Sequence, residues 1–248
     1  MRGYLLLIIS ALIVGAVIGT SGVPAQDNSA PRKQQDVDKA EFESQFPLTD
    51  VNKPKPTNPG KRDKWRAKGK KYKGIGLSIT DSSRWISVNT EWDIGLPALP
   101  VTQSHLIVIG EVTDAEANLT EDKDWLYSEF TVRVDEVLKN TSNVTLTRDS
   151  SLVVDREGGR VRFPNGHITL QFIPGQGMPR VGRRYTLFLI CEEQEQSIHI
   201  LTGYELRDGR VYPIDNPAGG QHPIATMYKE ADETSFLNDL RTAIVSGR

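Results

Sequence analysis

The chain has 248 residues, a formal net charge of −2 and 38% hydrophobic residues. This length and composition allow one large domain or two small ones around an apolar core, and they exclude a chain that is disordered throughout. Cys191 is the single cysteine. Internal disulfide bonds are therefore excluded, and the fold must be held by its core.

The first 25 residues have the pattern of a secretory signal peptide. Arg2 is followed by an apolar run from Tyr4 to Gly19 and by small residues at Val23-Pro24-Ala25, the order of features that a signal peptidase recognises. We expect cleavage after Ala25 and a secreted, periplasmic or cell-envelope location. The alternative is an uncleaved N-terminal helix that anchors the chain, since the apolar run is only a little shorter than a membrane span of about 20 residues.

Residues 26–73 are expected to form a disordered tail rich in basic residues and proline. They include few apolar side chains whose burial could offset the entropy of ordering. From Lys53 to Lys73 there are ten basic residues and one acidic residue, Asp63, a net charge of +9. Subtracting this basic segment and Arg2 from the formal net charge leaves −12 for the rest of the chain.

Two interpretations of the basic segment remain open. It is either a solvated linker, which keeps an acidic domain off the membrane or folds back onto that domain, or a contact for a polyanion. The polyanion would be an anionic cell-wall polymer, lipid headgroups or, least expected for an exported protein, nucleic acid. The candidate contact residues are Lys61, Arg62, Lys64, Trp65, Arg66, Lys68, Lys70, Lys71, Tyr72 and Lys73.

The stretch from Trp125 to Lys139 predicts a long strand with one wet face. Apolar and polar residues alternate from Leu126 to Asp135, which is the period of two of a half-buried strand. The alternation shifts by one residue at Glu136, and this predicts a β-bulge that bends the strand. A strand that bends part-way favours a small closed barrel over a flat sheet.

Other short apolar runs, separated by turn signals, predict further strands. They lie near residues 104–113, 144–146, 151–154, 161–163, 168–173, 183–191, 198–206 and 211–214. Glu157-Gly158-Gly159 has the composition of a hairpin turn, and the acidic stretch 114–124 is expected to be a loop. Residues 74–103 are expected to form an arm or edge strands, with Trp85 and Trp92 as anchors.

The C-terminal region predicts a helix. Phe236, Leu237, Leu240 and Ile244 recur at spacings of three and four, as on the apolar face of an amphipathic helix, here expected over residues 233–246. The predicted fold class is all-β: a small OB-like β-barrel with a C-terminal amphipathic helix over residues 104–248, behind a disordered N-terminal tail.

Three segments carry a family likeness. Ile107 to Val112, Phe130 to Lys139 and Val181 to Leu189 resemble the netrin-like module, the OB-type barrel also found in tissue inhibitors of metalloproteinases and in related exported bacterial proteins. The resemblance implies a barrel between Leu106 and Leu189. It does not carry over metalloproteinase inhibition, because that activity uses an amino-terminal cysteine as a zinc ligand and this chain has only Cys191.

No motif for catalysis or for a cofactor is recognised in the sequence. His105, His167, His199 and His222 are scattered, without metal-ligand spacing, and there is no nucleophile elbow, phosphate loop or dinucleotide fingerprint. We therefore expect no cofactor and no metal site. Calcium binding by the acidic stretch 114–124 is left open, although its spacing does not match an EF-hand loop.

Three functions follow from these patterns. The first is an exported, non-enzymatic interaction module of unknown partner, which binds through the barrel surface and its loops. The second is an envelope-associated polyanion binder, in which residues 53–73 supply the affinity. The third is a hydrolase whose site carries no recognised motif.

Overall fold

The computed structural model describes residues 40–72, 86–87, 95–192, 197–217 and 221–247. The predicted signal peptide, the first part of the predicted tail and most of the predicted arm lie outside the described residues. The strands are β1 (Leu48–Asp50), β2 (Ile86–Ser87), β3 (Leu106–Leu119), β4 (Leu126–Asn140), β5 (Ser151–Glu157), β6 (Gly159–Arg162), β7 (Ile168–Phe172), β8 (Arg184–Glu192), β9 (Ser197–Arg207), β10 (Arg210–Pro213) and β11 (Ala231–Asp232). The helices are α1 (Pro59–Lys71), α2 (Pro223–Thr226) and α3 (Glu233–Ser246).

The strands form two sheets. One has the order β1-β6-β7-β2, and the larger has the order β11-β10-β9-β5-β4-β3-β8, with β9 also pairing β8. The contact between β5 and β9 is a single parallel pair, Asp155 with His199. The fold is therefore mostly β with a C-terminal helix, as expected, but among the described strands no continuous ladder closes the predicted small barrel.

The hairpin of β3 and β4 confirms the predicted bulge. Ile109 pairs with Glu136 and Gly110 pairs with Val134, so Asp135 is the extra residue on β4. The hairpin is longer than expected, because β3 continues to Leu119, which pairs with Leu126. The acidic stretch predicted as a loop therefore lies in β3 over residues 114–119, and only residues 120–125 form the turn.

Two other local predictions, a hairpin turn and a short strand, are wrong. Glu157 to Gly159 does not close a hairpin, since β5 stays in the larger sheet while β6 pairs with β1 and β7 in the smaller one. Gly158 permits this crossing with φ +102°, and a Cβ there would lie 2.9 Å from the carbonyl oxygen of Gln171. Residues 144–146 form no strand; instead the Asn140 side-chain amide donates to the carbonyl of Val144 at 2.8 Å.

Two apolar clusters lie on the two faces of β3. Leu106, Val108 and Val112 belong to one cluster, while Ile107 and Ile109 belong to the other. A strand buried on both faces explains why its sequence is a continuous apolar run. The second cluster also contains Phe236 and Leu240 of α3, so this helix covers an apolar face of the sheet. The helix begins and ends at the predicted residues.

The second half of the predicted disordered tail is ordered. Residues 59–71 form α1, and Tyr72 and Trp65 pack in a cluster with Tyr127 and Trp125 of the β3–β4 hairpin. Tyr127 falls on the polar side of the alternation in β4, but it is 1% exposed because α1 covers it. The prediction of a disordered tail is therefore wrong for this part of the chain. Helix α1 has little apolar area to bury, and charge pairs with the sheet stabilise it instead.

Candidate functional site

Helix α1 begins at a well-formed cap. The Asn58 side chain accepts from the backbone N–H of Lys61 at 3.1 Å, and Pro59 takes the first helical position, where a missing N–H costs nothing. The last turn carries Lys68, Lys70 and Lys71, which complement the negative end of the helix dipole. Charge placement thus favours this helix although it has few apolar residues.

The inner face of α1 meets a buried carboxylate at the junction of β5 and β9. The Tyr72 hydroxyl donates to Asp155 Oδ1 at 2.5 Å, and Lys68 Nζ lies 3.0 Å from Asp155 Oδ2. Asp155 is completely buried. His199 Nδ1 lies 2.8 Å from the Tyr72 hydroxyl and 3.3 Å from Asp155 Oδ1. We call Lys68, Tyr72, Asp155 and His199 the clamp.

Two further ion pairs extend the clamp. Lys68 Nζ also donates to Glu129 Oε1 of β4 at 2.5 Å. Lys71 Nζ lies 2.7 Å from Glu192 Oε2 of β8, with the geometry of an ion pair rather than of a hydrogen bond. Helix α1 is thus joined by charge to three strands, β4, β5 and β8, and through His199 to β9.

The clamp changes the protonation of its members. Burial alone would raise the pKa of Asp155, but the hydrogen bond from His199 and the charge of Lys68 lower it to about 2. Burial alone would lower the pKa of Lys68, but Asp155 and Glu129 raise it above its usual value. Burial raises the pKa of the Tyr72 hydroxyl well above its usual value, and the neighbouring Asp155 charge adds to this. The carboxylate and ammonium are therefore charged, and the phenol is neutral, at neutral pH.

A second set of charge pairs holds the segment that precedes α1. Lys53 Nζ lies 2.6 Å from Glu116 Oε1 and donates to Asn118 Oδ1 at 3.0 Å. Lys55 Nζ donates to Glu121 Oε1 at 3.2 Å. Arg66 of α1 lies 3.5 Å from the other oxygen of Glu121. The acidic residues of the β3–β4 hairpin therefore act as partners for the basic segment.

A cleft of about 600 Å³ lies between this segment and the β3–β4 hairpin. Its lining includes five lysines and three glutamates: Lys53, Lys55, Lys61, Lys64, Lys123, Glu116, Glu121 and Glu129. Lys53 and Lys55 are paired with carboxylates, whereas Lys61, Lys64 and Lys123 make no ion pair within the described part of the chain. The cleft therefore has an excess of positive charge.

The predicted contact residues divide into three groups. Lys68, Lys71 and Tyr72 face inward and belong to the clamp or its ion pairs. Arg66 pairs with Glu121. Trp65 donates to the carbonyl of Leu119 at 2.8 Å, and Arg62 donates to the carbonyl of Pro56 at 3.0 Å. Three lysines are exposed without an ion pair in the described residues, and Lys73 lies outside those residues. The exposed three are Lys61, Lys64 and Lys70.

Nothing in the sequence pattern indicated Asp155 or Glu129 as site residues, and His199 was only one of four scattered histidines without metal-ligand spacing. The separation of charge between the basic segment and the rest of the chain does indicate that acidic partners exist. It does not indicate which carboxylates they are, because the paired residues lie 55 to 121 positions apart, from Arg66 with Glu121 to Lys71 with Glu192.

A second buried ion pair lies away from α1. Arg156 donates to Asp215 Oδ2 at 2.8 Å, and both side chains are completely buried. Asp215 also accepts from the backbone N–H of Gly177 at 2.8 Å and from the hydroxyl of Thr202 at 2.7 Å. This pair fastens the Gly/Pro loop between β7 and β8 to the segment after β10, so it is read as structural.

Two searches of the described residues bear on the site. No group of three or more His, Cys, Asp or Glu side chains there is arranged to hold a metal ion. Within those same ranges, no helix has the length and apolar character needed to cross a bilayer. The calcium hypothesis for residues 114–124 gains nothing from the geometry, because Glu116 and Glu121 are paired with lysines.

Comparison with known proteins adds no relative. No model of a protein family matches this chain, and no curated protein matches it. The function has therefore to be argued from the site itself.

Proposed function

We propose that this chain is an exported, non-enzymatic binding module, in which the basic segment is clamped onto a β-rich body and presents an outer face to a partner. The observation that carries the proposal is the closed clamp. Asp155 is completely buried and is surrounded by Lys68, Tyr72 and His199 of the same chain. This buried acid–base cluster thus holds a helix in place.

The proposed architecture is an OB-like barrel of the netrin-like type. Neighbouring pairs among β3, β4, β5, β9 and β8 support it, since β3 pairs with β4 and β8, β4 with β5, and β8 with β9. The pair of Asp155 with His199 joins the two remaining neighbours. Folds of this type bind partners on the strand surface and its flanking loops.

A second candidate is binding to a polyanion of the cell envelope. It is favoured by three lysines of α1 that are exposed and make no ion pair with a described residue, Lys61, Lys64 and Lys70. Against it, Lys53, Lys55, Arg66, Lys68 and Lys71 already pair with carboxylates of the same chain. A polyanion would therefore meet few free cations, and its binding would have a shallow dependence on salt.

The test is retention of partners from the exported fraction by the full chain. One variant reverses the outer face of α1 with Lys61→Glu, Lys64→Glu and Lys70→Glu, and the control reverses an exposed lysine elsewhere with Lys229→Glu. We expect the wild type and the control to retain the same partner and the α1 variant to lose it. Equal retention by all three proteins would contradict the proposed binding face.

Two further readouts separate the alternatives. The polyanion candidate would be favoured if the wild type retains purified anionic wall polymer or vesicles and releases them as the salt concentration rises. Turnover of ester or glycoside substrates that is abolished by Asp155→Asn would favour a hydrolase and contradict the main proposal.

A further inference from the structure

The cleft beside α1 has the features of a ligand site that the clamp does not use. Lys61 and Lys64 come from α1, and Lys123 comes from the turn between β3 and β4. These three ammonium groups lack a carboxylate partner in the described residues, whereas Lys53 and Lys55 in the same lining have one. Unpaired cations gathered around one concavity favour an anionic ligand.

Part of the cleft wall is apolar. Val51, Pro54, Pro56, Leu119 and Val153 contribute to the lining, and Val153 is a strand residue that is 47% exposed. An apolar strand residue left open beside a cleft gains free energy when a ligand covers it, by roughly 25 cal/mol for each Å² removed from water. The ligand is therefore expected to have an apolar body.

One residue of the cleft lining has an unsatisfied polar atom. Thr49 is 6% exposed and belongs to the lining, and its Oγ1 makes no hydrogen bond to any described residue. A buried hydroxyl without a partner costs free energy unless a ligand or water satisfies it. This hydroxyl is an observation independent of the lysines, and it also indicates that the cleft receives a polar group.

The lining also excludes some anions. Glu116, Glu121 and Glu129 lie in it and pair with Lys53, Lys55 and Lys68, so few unpaired cations remain in the described residues to bind a highly charged polyphosphate. Tyr127 is 1% exposed, and Lys55 Nζ lies 5.5 Å from the centre of the Trp65 ring. Little aromatic surface is thus free to stack on a sugar ring or a base, which disfavours saccharides and nucleotides.

We propose that this cleft binds a small amphiphilic anion, that is, an organic carboxylate, sulfonate or phosphate with an apolar body. Lys61, Lys64 and Lys123 contact the anionic group, Thr49 donates a hydrogen bond to it or to a neighbouring oxygen, and the aliphatic walls cover the apolar body. A volume of about 600 Å³ fits ligands of this size, since small-molecule sites have about 300–1,000 Å³. The inference rests on the proposed binding function and names the ligand class of one site.

The test uses two dyes with similar apolar bodies. 8-Anilinonaphthalene-1-sulfonate carries an anionic group, and N-phenyl-1-naphthylamine is its neutral counterpart. We expect the full chain to bind one equivalent of the sulfonate, with increased dye fluorescence, and to bind the neutral dye more weakly. Dodecanoate below its micelle concentration tests a free amphiphile as competitor, and vesicles of anionic phospholipid test a lipid headgroup.

Three variants locate the binding. Lys64→Glu should weaken the sulfonate by about tenfold or more, because it removes a charge-assisted contact and adds a repulsion. Lys229→Glu, the control, changes an exposed lysine that is not part of the cleft lining and should leave the affinity unchanged. Thr49→Val removes a hydroxyl that has no hydrogen-bond partner among the described residues, and it should weaken binding of the sulfonate more than binding of the neutral dye.

The outcomes are decisive in both directions. The proposal is overturned if the sulfonate does not bind, if Lys64→Glu and Lys229→Glu weaken it equally, or if neither competitor displaces it. Displacement by dodecanoate or by vesicles supports the site and identifies the source of its ligand. Loss of this binding without loss of retained partners would leave the proposed function standing, so the two failures are distinguishable.

Discussion

The Tyr72 hydroxyl donates a hydrogen bond of 2.5 Å to Asp155 Oδ1, across 83 positions of the sequence. Tyr72 ends α1, and Asp155 lies in β5 where it pairs with His199 of β9. This one contact therefore joins the basic segment to the place where two strands meet through a single residue pair. The ring of Tyr72 also stacks on Tyr127 of β4, with centroids 5.3 Å apart.

Removing the charge of Asp155 should destabilise the protein strongly. Asp155→Asn leaves Lys68 buried with only Glu129 as a partner, and breaking one side of a buried ion pair costs about 3–5 kcal/mol. The free energy of unfolding in urea measures this cost. The control, Asp50→Asn, changes a carboxylate whose side chain is 65% exposed and should alter stability by less than about 0.5 kcal/mol. Equal effects of the two variants would mean that the clamp contributes nothing.

The clamp should lose stability in acid. Asp155 has a pKa of about 2 in the folded chain against an ordinary value of 3.8, so its contribution is present above about pH 4 and is lost as the pH falls toward 2. The contribution is roughly 2 kcal/mol. We expect the difference in unfolding free energy between wild type and Asp155→Asn to shrink over this range. A constant difference from pH 6 to pH 2 would contradict the lowered pKa.

The same clamp should be stable toward base. The pKa of Lys68 is raised from 10.5 by Asp155 and Glu129, against the effect of burial. A raised pKa means that the contribution of Lys68 is complete below about pH 10 and is lost only as the pH rises through the higher folded value. Urea unfolding of Lys68→Met and wild type between pH 7 and pH 10 should give a constant difference.

Helix α1 should be stabilised by Gly69→Ala. A Cβ at this position would lie 3.7 Å from the nearest backbone atom, the amide nitrogen of Glu121, which is an ordinary contact. Alanine is favoured over glycine in a helix by about 1 kcal/mol, so the midpoint of urea unfolding should rise. The contrasting change, Gly177→Ala, would place a Cβ 1.8 Å from the carbonyl oxygen of Ile214, and its overpacking should cost about 1–3 kcal/mol.

The buried pair of Arg156 and Asp215 gives a separate test of structure. Asp215→Asn leaves a buried guanidinium without its counter-ion and should cost about 3–5 kcal/mol. The double variant Arg156→Met and Asp215→Leu removes both charges and should be less destabilised than the single variant. If the double variant has the lower free energy of unfolding, the ion pair stabilises the fold by more than the neutralisation of two buried charges.

The N-terminal prediction is tested on the exported protein. Cleavage after Ala25 gives a chain that begins at Gln26, and the intact mass of the protein recovered outside the cytoplasm measures this. A full-length mass in the membrane fraction would instead support the anchored alternative.

Local patterns in the sequence predicted the elements whose burial follows from near neighbours. The alternation in β4, its bulge at Asp135, and the spacing of Phe236 and Leu240 in α3 are each encoded within about fifteen residues. An apolar pattern with a period of two forms a strand, and one with a period of three to four forms a helix, once a single face of the element is buried. These predictions were confirmed for that reason.

Tertiary contacts decided what local patterns could not. Residues 59–71 have almost no apolar face, so their composition predicted disorder; a helix forms because Lys68 and Tyr72 meet Asp155, which is brought to them by β5 and β9. The charge separation in the sequence determined that a basic segment and an acidic body exist. Which lysines are paired and which remain free around the cleft depends on distances between residues far apart in the chain, and those distances are set only when the sheets are assembled.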